Sequence, residues 1–351
     1  MQFAREMAKR VPVTEHVPFP NAADVRQRLG TPACTFMTGY GANARAQLPG
    51  VQCILRRLRA IESSVPLVIV VPENETETAT AALPPLRASR EVITEWRHFP
   101  SVPNRQRGTS AWAAKYRHSH THDKLNVFGA PFAARVVWLD TDLTLMRNVD
   151  ELCTENASFA AVLNHGYEMR TCWNSANQDD CRDCRHTFRR FDGSQEPMAV
   201  PDDEVQGSFW LKRAWNERYA ANRSGTPVAE RQRCVYEVNT GVMSVAPLPP
   251  TLFHESVVAP VSSGLVSTRD GSDQGTINNL LHDRRVFGTV GHLEFGYNAN
   301  DRARYIHSRA FRRWGPAVVH SSGEKPWQPK HANNTGATFR FWRSTCGARR
   351  R

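Results

Sequence analysis

Hydrophobic positions along the chain fall into short blocks whose period changes from one block to the next. Thr35 to Tyr40 reads as a short strand. Leu48, Val51, Leu55, Leu58 and Ile61 follow at helical spacing. Pro49 suits the first turn of that helix, where an amide has no partner to lose. Pro66 to Val71 is apolar on both faces, the pattern of a strand buried on both sides of a sheet. Glu91 to Trp96 and Arg135 to Leu139 read as further strands, with Leu125 and Phe128 on a short helix between them. The strand pattern resumes near Val238, and Ala317 to Val319 forms another short buried strand. Strands alternating with helices predict an α/β fold, a Rossmann-like mixed sheet, mostly parallel and flanked by helices.

The pattern also divides the chain. Residues 1–30 carry no strong periodicity and read as an N-terminal extension. Residues 31–330 read as one domain, and 331–351 as a basic C-terminal tail. Within the domain, 156–233 is polar, Arg-rich and Cys-containing, with few apolar stretches, and reads as an insertion. No internal repeat is evident.

Composition narrows the class. Hydrophobic residues make up 40 % and charged residues 23 % of the 351, the balance of a globular chain and not of a disordered one. A net charge of +11 points to an anionic partner. The basic residues are mostly Arg and form no long run with interleaved aromatics, which argues against nucleic acid. The densest cluster, Arg349 to Arg351, reads as a solvated tail. The longest apolar run, Val65 to Val71, is strand-sized and too short for a membrane span. Met1 to Arg10 is charged and lacks the apolar core of a signal peptide. Asn-x-Ser/Thr sequons at Asn74, Asn156, Asn222 and Asn333 lend slight support to a secretory lumen.

The residues with the clearest chemistry lie where the strand Arg135 to Leu139 ends, in Asp140-Thr141-Asp142. Ligands of such sheets bind beyond the carboxyl ends of the strands. In extended chain, residues i and i+2 face one side, so two carboxylates converge on a point where they can hold a hard divalent cation. The bland account is two solvated acids in a turn. A second strand leads to Val318-Val319-His320-Ser321-Ser322-Gly323-Glu324-Lys325-Pro326-Trp327. An imidazole nitrogen beside two carboxylates favours manganese over magnesium, and Lys325 is a compact charge suited to a diphosphate. Two weaker motifs are Val238-Asn239-Thr240-Gly241-Val242-Met243 and Asp270-Gly271-Ser272-Asp273-Gln274-Gly275, where helix capping is the bland account of Asp270 and Asp273.

In this order the four motifs resemble glycosyltransferase family 8, the group that contains glycogenin, galactinol synthase and plant wall-polysaccharide transferases. The resemblance runs from about Thr35 to Trp327 apart from the insertion, and is strengthened by Lys124-Leu125, Arg147-Asn148-Val149-Asp150-Glu151-Leu152 and Lys325-Pro326-Trp327. It implies a GT-A fold and a retaining transferase that moves a sugar from a UDP-sugar to a glycan, protein or polyol acceptor. It implies Mn²⁺ held by Asp140, Asp142 and His320. Thr38, Lys124, Thr141 and the two aspartates would lie along the donor. Asn239, Asp270, Asp273 and Gln274 would face the donor sugar, with Asp273, Gln274 and Lys325 as the catalytic groups. Gly323 and Lys325 would contact the phosphates. The alternative within the same resemblance is a catalytically silent relative that binds nucleotide-sugar or glycan. Homodimer formation, and a Golgi or secretory setting in preference to cytoplasm, complete the expectations.

Other features stay open at this point. Cys172, Cys181, Cys184 and Cys234 can be read as disulfides, free thiols or structural zinc ligands, whereas Cys34, Cys53, Cys153 and Cys346 are scattered. His118, His120 and His122 alternate but lack framing acids, and read as a polar loop. Tyr305 follows Tyr297-Asn298 at the distance where glycogenin carries its self-glucosylated tyrosine.

Overall fold

The computed structural model describes residues 16–39, 44–100, 121–163, 187–189, 195–197, 238–263, 266, 273–282, 290–293, 295–300, 316–321, 325–328 and 337–346. The chain divides into two compact units. One comprises Met1–Leu48, Val65–Trp138 and Val245–Gly288, the other Pro49–Ser64, Leu139–Ser244 and Thr289–Arg351.

The first unit is built on parallel strands in the order β4-β1-β2-β3, namely Arg135–Leu139, Cys34–Gly39, Leu67–Pro72 and Glu91–Trp96. Phe36 lies opposite Leu67 on one side and Val137 on the other, and Ile69 opposite Ile93. All six residues of β2 are buried, as a strand covered on both faces requires. Helices α1 (Ala22–Leu29) and α3 (Thr76–Ala82) belong to this unit, with α4 (Asp273–His282) and a 3-10 stretch, Thr121–Gly129. Helix α1 ends on Gly30 at φ 69°, a left-handed position where glycine escapes the penalty of a Cβ. The Phe19 and Phe132 rings meet edge to face at 4.7 Å.

Helix α2 (Ala44–Ala60) crosses the division at Leu48–Pro49. It starts earlier than the apolar spacing predicts, so Pro49 lies inside the helix and not in its first turn. The apolar repeat begins only at Leu48, while the residues ahead of it, Ala44 to Gln47, are helical without joining that repeat.

In the second unit, β6 (Phe159–Leu163) neighbours β9 (Val238–Val245) on one side and pairs in parallel with β10 (Val290–His292) on the other. Strand β6 falls inside the stretch that reads as insertion, yet Phe159 to Val162 are buried. Two short strands farther on, β7 (Thr187–Arg189) and β8 (Gln195–Pro197), form an antiparallel hairpin.

A separate three-stranded sheet has the order β11-β12-β5. Its members are Ala299–Asn300, Val318–His320 and Leu143–Leu145. Strand β12 runs parallel to β11 and antiparallel to β5. The expectation of a mixed, mostly parallel α/β fold is thus met. Among the described residues no helix is long and apolar enough to cross a membrane.

The C-terminal helix α5 (Ala337–Cys346) is fastened to α2 in the second unit. Cys346 forms a disulfide with Cys53, and Arg56 donates to the Cys346 carbonyl at 2.7 Å. Trp342 is buried in the same cluster, with Trp327 against it at 5.6 Å between ring centroids. Cys34 and Cys153 are disulfide-bonded too, and no described cysteine is free. The scattered cysteines therefore carry covalent links that their spacing did not signal. Cys172, Cys181, Cys184 and Cys234 lie outside the described residues.

Candidate metal and donor site

The register of the small sheet creates the central cluster. Strand β4 ends at Leu139, and the next residues turn back at once into β5. The turn is closed by Leu143 N–H donating to the Asp140 carbonyl at 3.2 Å. Asp140 N–H is bonded to the Gly241 carbonyl at 2.8 Å, which ties the turn to β9. The two aspartates therefore converge through a tight turn and not through the pleat of an extended strand. On β12, His320 lies opposite Leu143, and Ser321 N–H donates to the Asp142 carbonyl at 3.0 Å. That pairing carries the imidazole to the aspartates.

Asp140, Asp142 and His320 each offer one ligand atom, all within 4.8 Å of one another. His320 Nε2 stands 3.3 Å from Asp142 Oδ1, and Lys325 Nζ donates to Asp142 Oδ2. Burial alone would raise the Asp142 pKa, but Lys325 and then His320 outweigh it and hold the carboxyl well below the ordinary range. A buried carboxylate kept ionised next to an imidazole and a second carboxylate suits a divalent cation. Lys325 reaches the cluster as expected, and donates to Asp142 there.

Glycine backs the turn and the imidazole. A Cβ on Gly50 of α2 would come 2.1 Å from the Thr141 carbonyl oxygen and 2.8 Å from the Trp327 ring. A Cβ on Gly241 would come 2.6 Å from His320 Cε1 and 2.8 Å from its Nδ1. Only glycine permits either approach without displacement. Asn239 accepts Gly241 N–H at 2.9 Å and the Asn298 amide at 2.8 Å, both on Oδ1. Asn298 Oδ1 in turn lies 2.8 Å from His320 Nδ1. Asn239 therefore spends its carbonyl oxygen inside the protein, and Asn298 is a contributor that sequence reasoning missed.

The Arg147 to Leu152 stretch is structural. Asp150 accepts the Ser63 hydroxyl at 2.6 Å and the Ser64 amide at 2.8 Å. Glu151 accepts Arg147 and, at 2.8 Å, the Tyr297 hydroxyl. Burial raises the Tyr297 phenol well above its usual value, so it stays protonated and donates.

In the first unit, the predicted Lys124 and Asp273 are partners. Lys124 Nζ meets Asp273 Oδ2 at 2.7 Å and sits 5.8 Å from the centre of the Trp138 ring. Trp138 stacks on Trp96 at 5.9 Å with 12° between planes. Gln274 follows Asp273 in the first turn of α4, and its carbonyl accepts the Asn278 amide at 2.8 Å. Thr38 is buried in β1, and its hydroxyl has no hydrogen-bond partner among the described residues. Next to it, a Cβ on Gly39 would fall 2.4 Å from the Val70 carbonyl oxygen. His122 Nε2 lies 3.0 Å from the Thr276 hydroxyl, and its buried neighbour Asp123 accepts Phe99 N–H at 2.7 Å. Asp270, Gly323, Tyr305, His118 and His120 lie outside the described residues.

No family model matches the chain. It is 33 % identical to glycogenin-1 of Caenorhabditis elegans over 107 residues, which are 30 % of this chain. The matched stretch spans 24 % of that relative's length. The match bears out the resemblance carried by the motifs. Among solved structures, the fold is similar to the galactosyltransferase LgtC in complex with donor and acceptor sugar analogues. There the TM-score is 0.48 and the identity 13 %, over 89 % of this chain and 95 % of that one. The bifunctional glycosyltransferase WbbM aligns at 0.45 and 16 %, over 86 % of this chain and 48 % of that one. GlyE of Streptococcus pneumoniae TIGR4 aligns at 0.46 and 12 %, over 90 % and 61 %. These likenesses are too distant to speak for chemistry.

Proposed function

We propose that the chain is a glycosyltransferase, and more narrowly a retaining one that moves a sugar from a UDP-sugar to a glycan, protein or polyol acceptor. Mn²⁺ would be held by Asp140, Asp142 and His320. The observation that carries this reading is the convergence of those three side chains, with Lys325 beside them, from distant segments onto one turn. A bound cation would supply positive charge to the diphosphate leaving group. Lys325 adds a second positive charge there once it leaves Asp142. The buried Asp142 orients the cluster, and Gly241 allows His320 to close it. The roles that the resemblance gives to Thr38, Lys124, Thr141, Asn239, Asp270, Asp273, Gln274 and Gly323 belong to the same proposal. So does an oxidising Golgi or secretory lumen, supported by the disulfides at Cys34, Cys53, Cys153 and Cys346.

The test is UDP release from a panel of common UDP-sugars, with Mn²⁺, with Mg²⁺ and with EDTA. Release from one donor in Mn²⁺, abolished by EDTA, is the expected result. Silence on every donor overturns the reading, and UDP binding with no release selects a nucleotide-sugar-binding module instead.

A further inference from the structure

Four hydrogen-bonding groups lie in series behind His320, and the first of them has only one chemical sense. Gly241 N–H is a backbone amide and can only donate, so the Asn239 atom it meets at 2.9 Å is the carbonyl oxygen. The same oxygen, with two lone pairs, also receives Asn298 at 2.8 Å. Asn298 therefore presents its NH₂ to Asn239 and its carbonyl oxygen to His320 Nδ1, 2.8 Å away. An amide oxygen only accepts, so Nδ1 must carry a proton. A neutral imidazole has one N–H, so a neutral ring held this way keeps its lone pair on Nε2, open to a cation lying between it and Asp142.

We infer that Asn298 is a positioning residue. Held by Asn239, it fixes the proton of His320 on Nδ1 and reserves Nε2 as a cation ligand. Ligating histidines commonly have their second nitrogen oriented in this way. The surroundings hold Asn298 in place. It is buried, and the preceding Tyr297 is anchored by Glu151 at 2.8 Å with Arg147 5.4 Å from its ring centre. Asn298 directly precedes β11, whose Asn300 is in register with His320. The His320 ring packs over Gly241 where a Cβ would stand.

This inference rests on the metal site proposed above, but its first test needs neither metal nor turnover. In metal-free protein labelled with ¹⁵N-histidine, at alkaline pH, NMR should show the His320 ring protonated on Nδ1, assigned by its loss in His320→Gln. Protonation on Nε2 instead overturns the inference. Asn298→Asp keeps an acceptor for Nδ1 while losing the donor to Asn239, and should keep that tautomer and hold Mn²⁺ affinity closer to wild type than Asn298→Leu does. Asn298→Leu should lose the fixed tautomer and weaken Mn²⁺ binding, followed by electron paramagnetic resonance, by about 10–100-fold. If Asn298→Leu does not fold, the wild-type spectrum and Asn298→Asp still decide. Equal Mn²⁺ affinity in the Leu and Asp variants overturns the positioning role. An Nδ1–H ring in a wild-type protein that binds no Mn²⁺ leaves the relay standing and overturns the metal reading.

Discussion

Lys325 and Lys124 each neutralise one aspartate, but the two pairs are built differently. Lys124 and Asp273 are both largely enclosed, their side chains 11 % and 17 % exposed, and the lysine also rests over Trp138. In the other pair, Asp142 is 4 % exposed and Lys325 is 31 % exposed. The Asp142 backbone is pinned by Ser321 and by the turn from Asp140, so the acid is fixed while its lysine has a route to water. An enclosed pair is costly to separate, because either charge would be stranded. A pair with one open member can exchange, since a second cation need only displace the lysine. Of the two lysine–aspartate pairs, the one at Asp142 is thus the more open to exchange.

The comparison breaks most visibly at the acid. Asp142→Ala should reduce Mn²⁺-dependent UDP release by about three orders of magnitude, the scale of losing a group that fixes leaving-group charge. Turnover within tenfold of wild type would make Asp142 as replaceable as any surface acid. Gly241→Ala is next. A methyl group forced against His320 should weaken Mn²⁺ binding about 10–100-fold while lowering stability by about 1–3 kcal/mol, read from a metal titration and a denaturant midpoint. The smallest effect separates the two lysines directly. Lys325→Gln should raise Mn²⁺ affinity several-fold in the absence of nucleotide while slowing turnover. Lys124→Gln should leave Mn²⁺ affinity unchanged and lower stability by about 1–3 kcal/mol. Equal responses from the two variants would erase the distinction.

Much of the fold, and the grouping of Asp140, Asp142 and His320, is legible in the sequence because each depends on local pattern. Apolar blocks mark β1 to β4, and a strand leads directly to Asp142 and to His320. The geometry behind them is less legible. Extended chain and tight turn both bring residues i and i+2 together, so the Asp-Thr-Asp spacing alone cannot distinguish them. Asn298 acquires its role from His320 and Asn239, partners that no local period connects. Gly50 reads as an ordinary helix residue until the Thr141 carbonyl is seen against it. Clustered cysteines draw the eye to the insertion, whereas Cys53 finds Cys346 across a separation of 293 residues. Spacing conveys nothing about pairing at that range.

That last bond makes most of the polypeptide a covalent ring. A single cut between Cys53 and Cys346 opens the ring without releasing a fragment, so a nicked chain remains one molecule until it is reduced. The clasp of the ring sits on α2, the same helix whose Gly50 abuts the Asp-Thr-Asp turn. Damage elsewhere in the loop therefore leaves the support of the Asp-Thr-Asp turn tethered to the C-terminal helix.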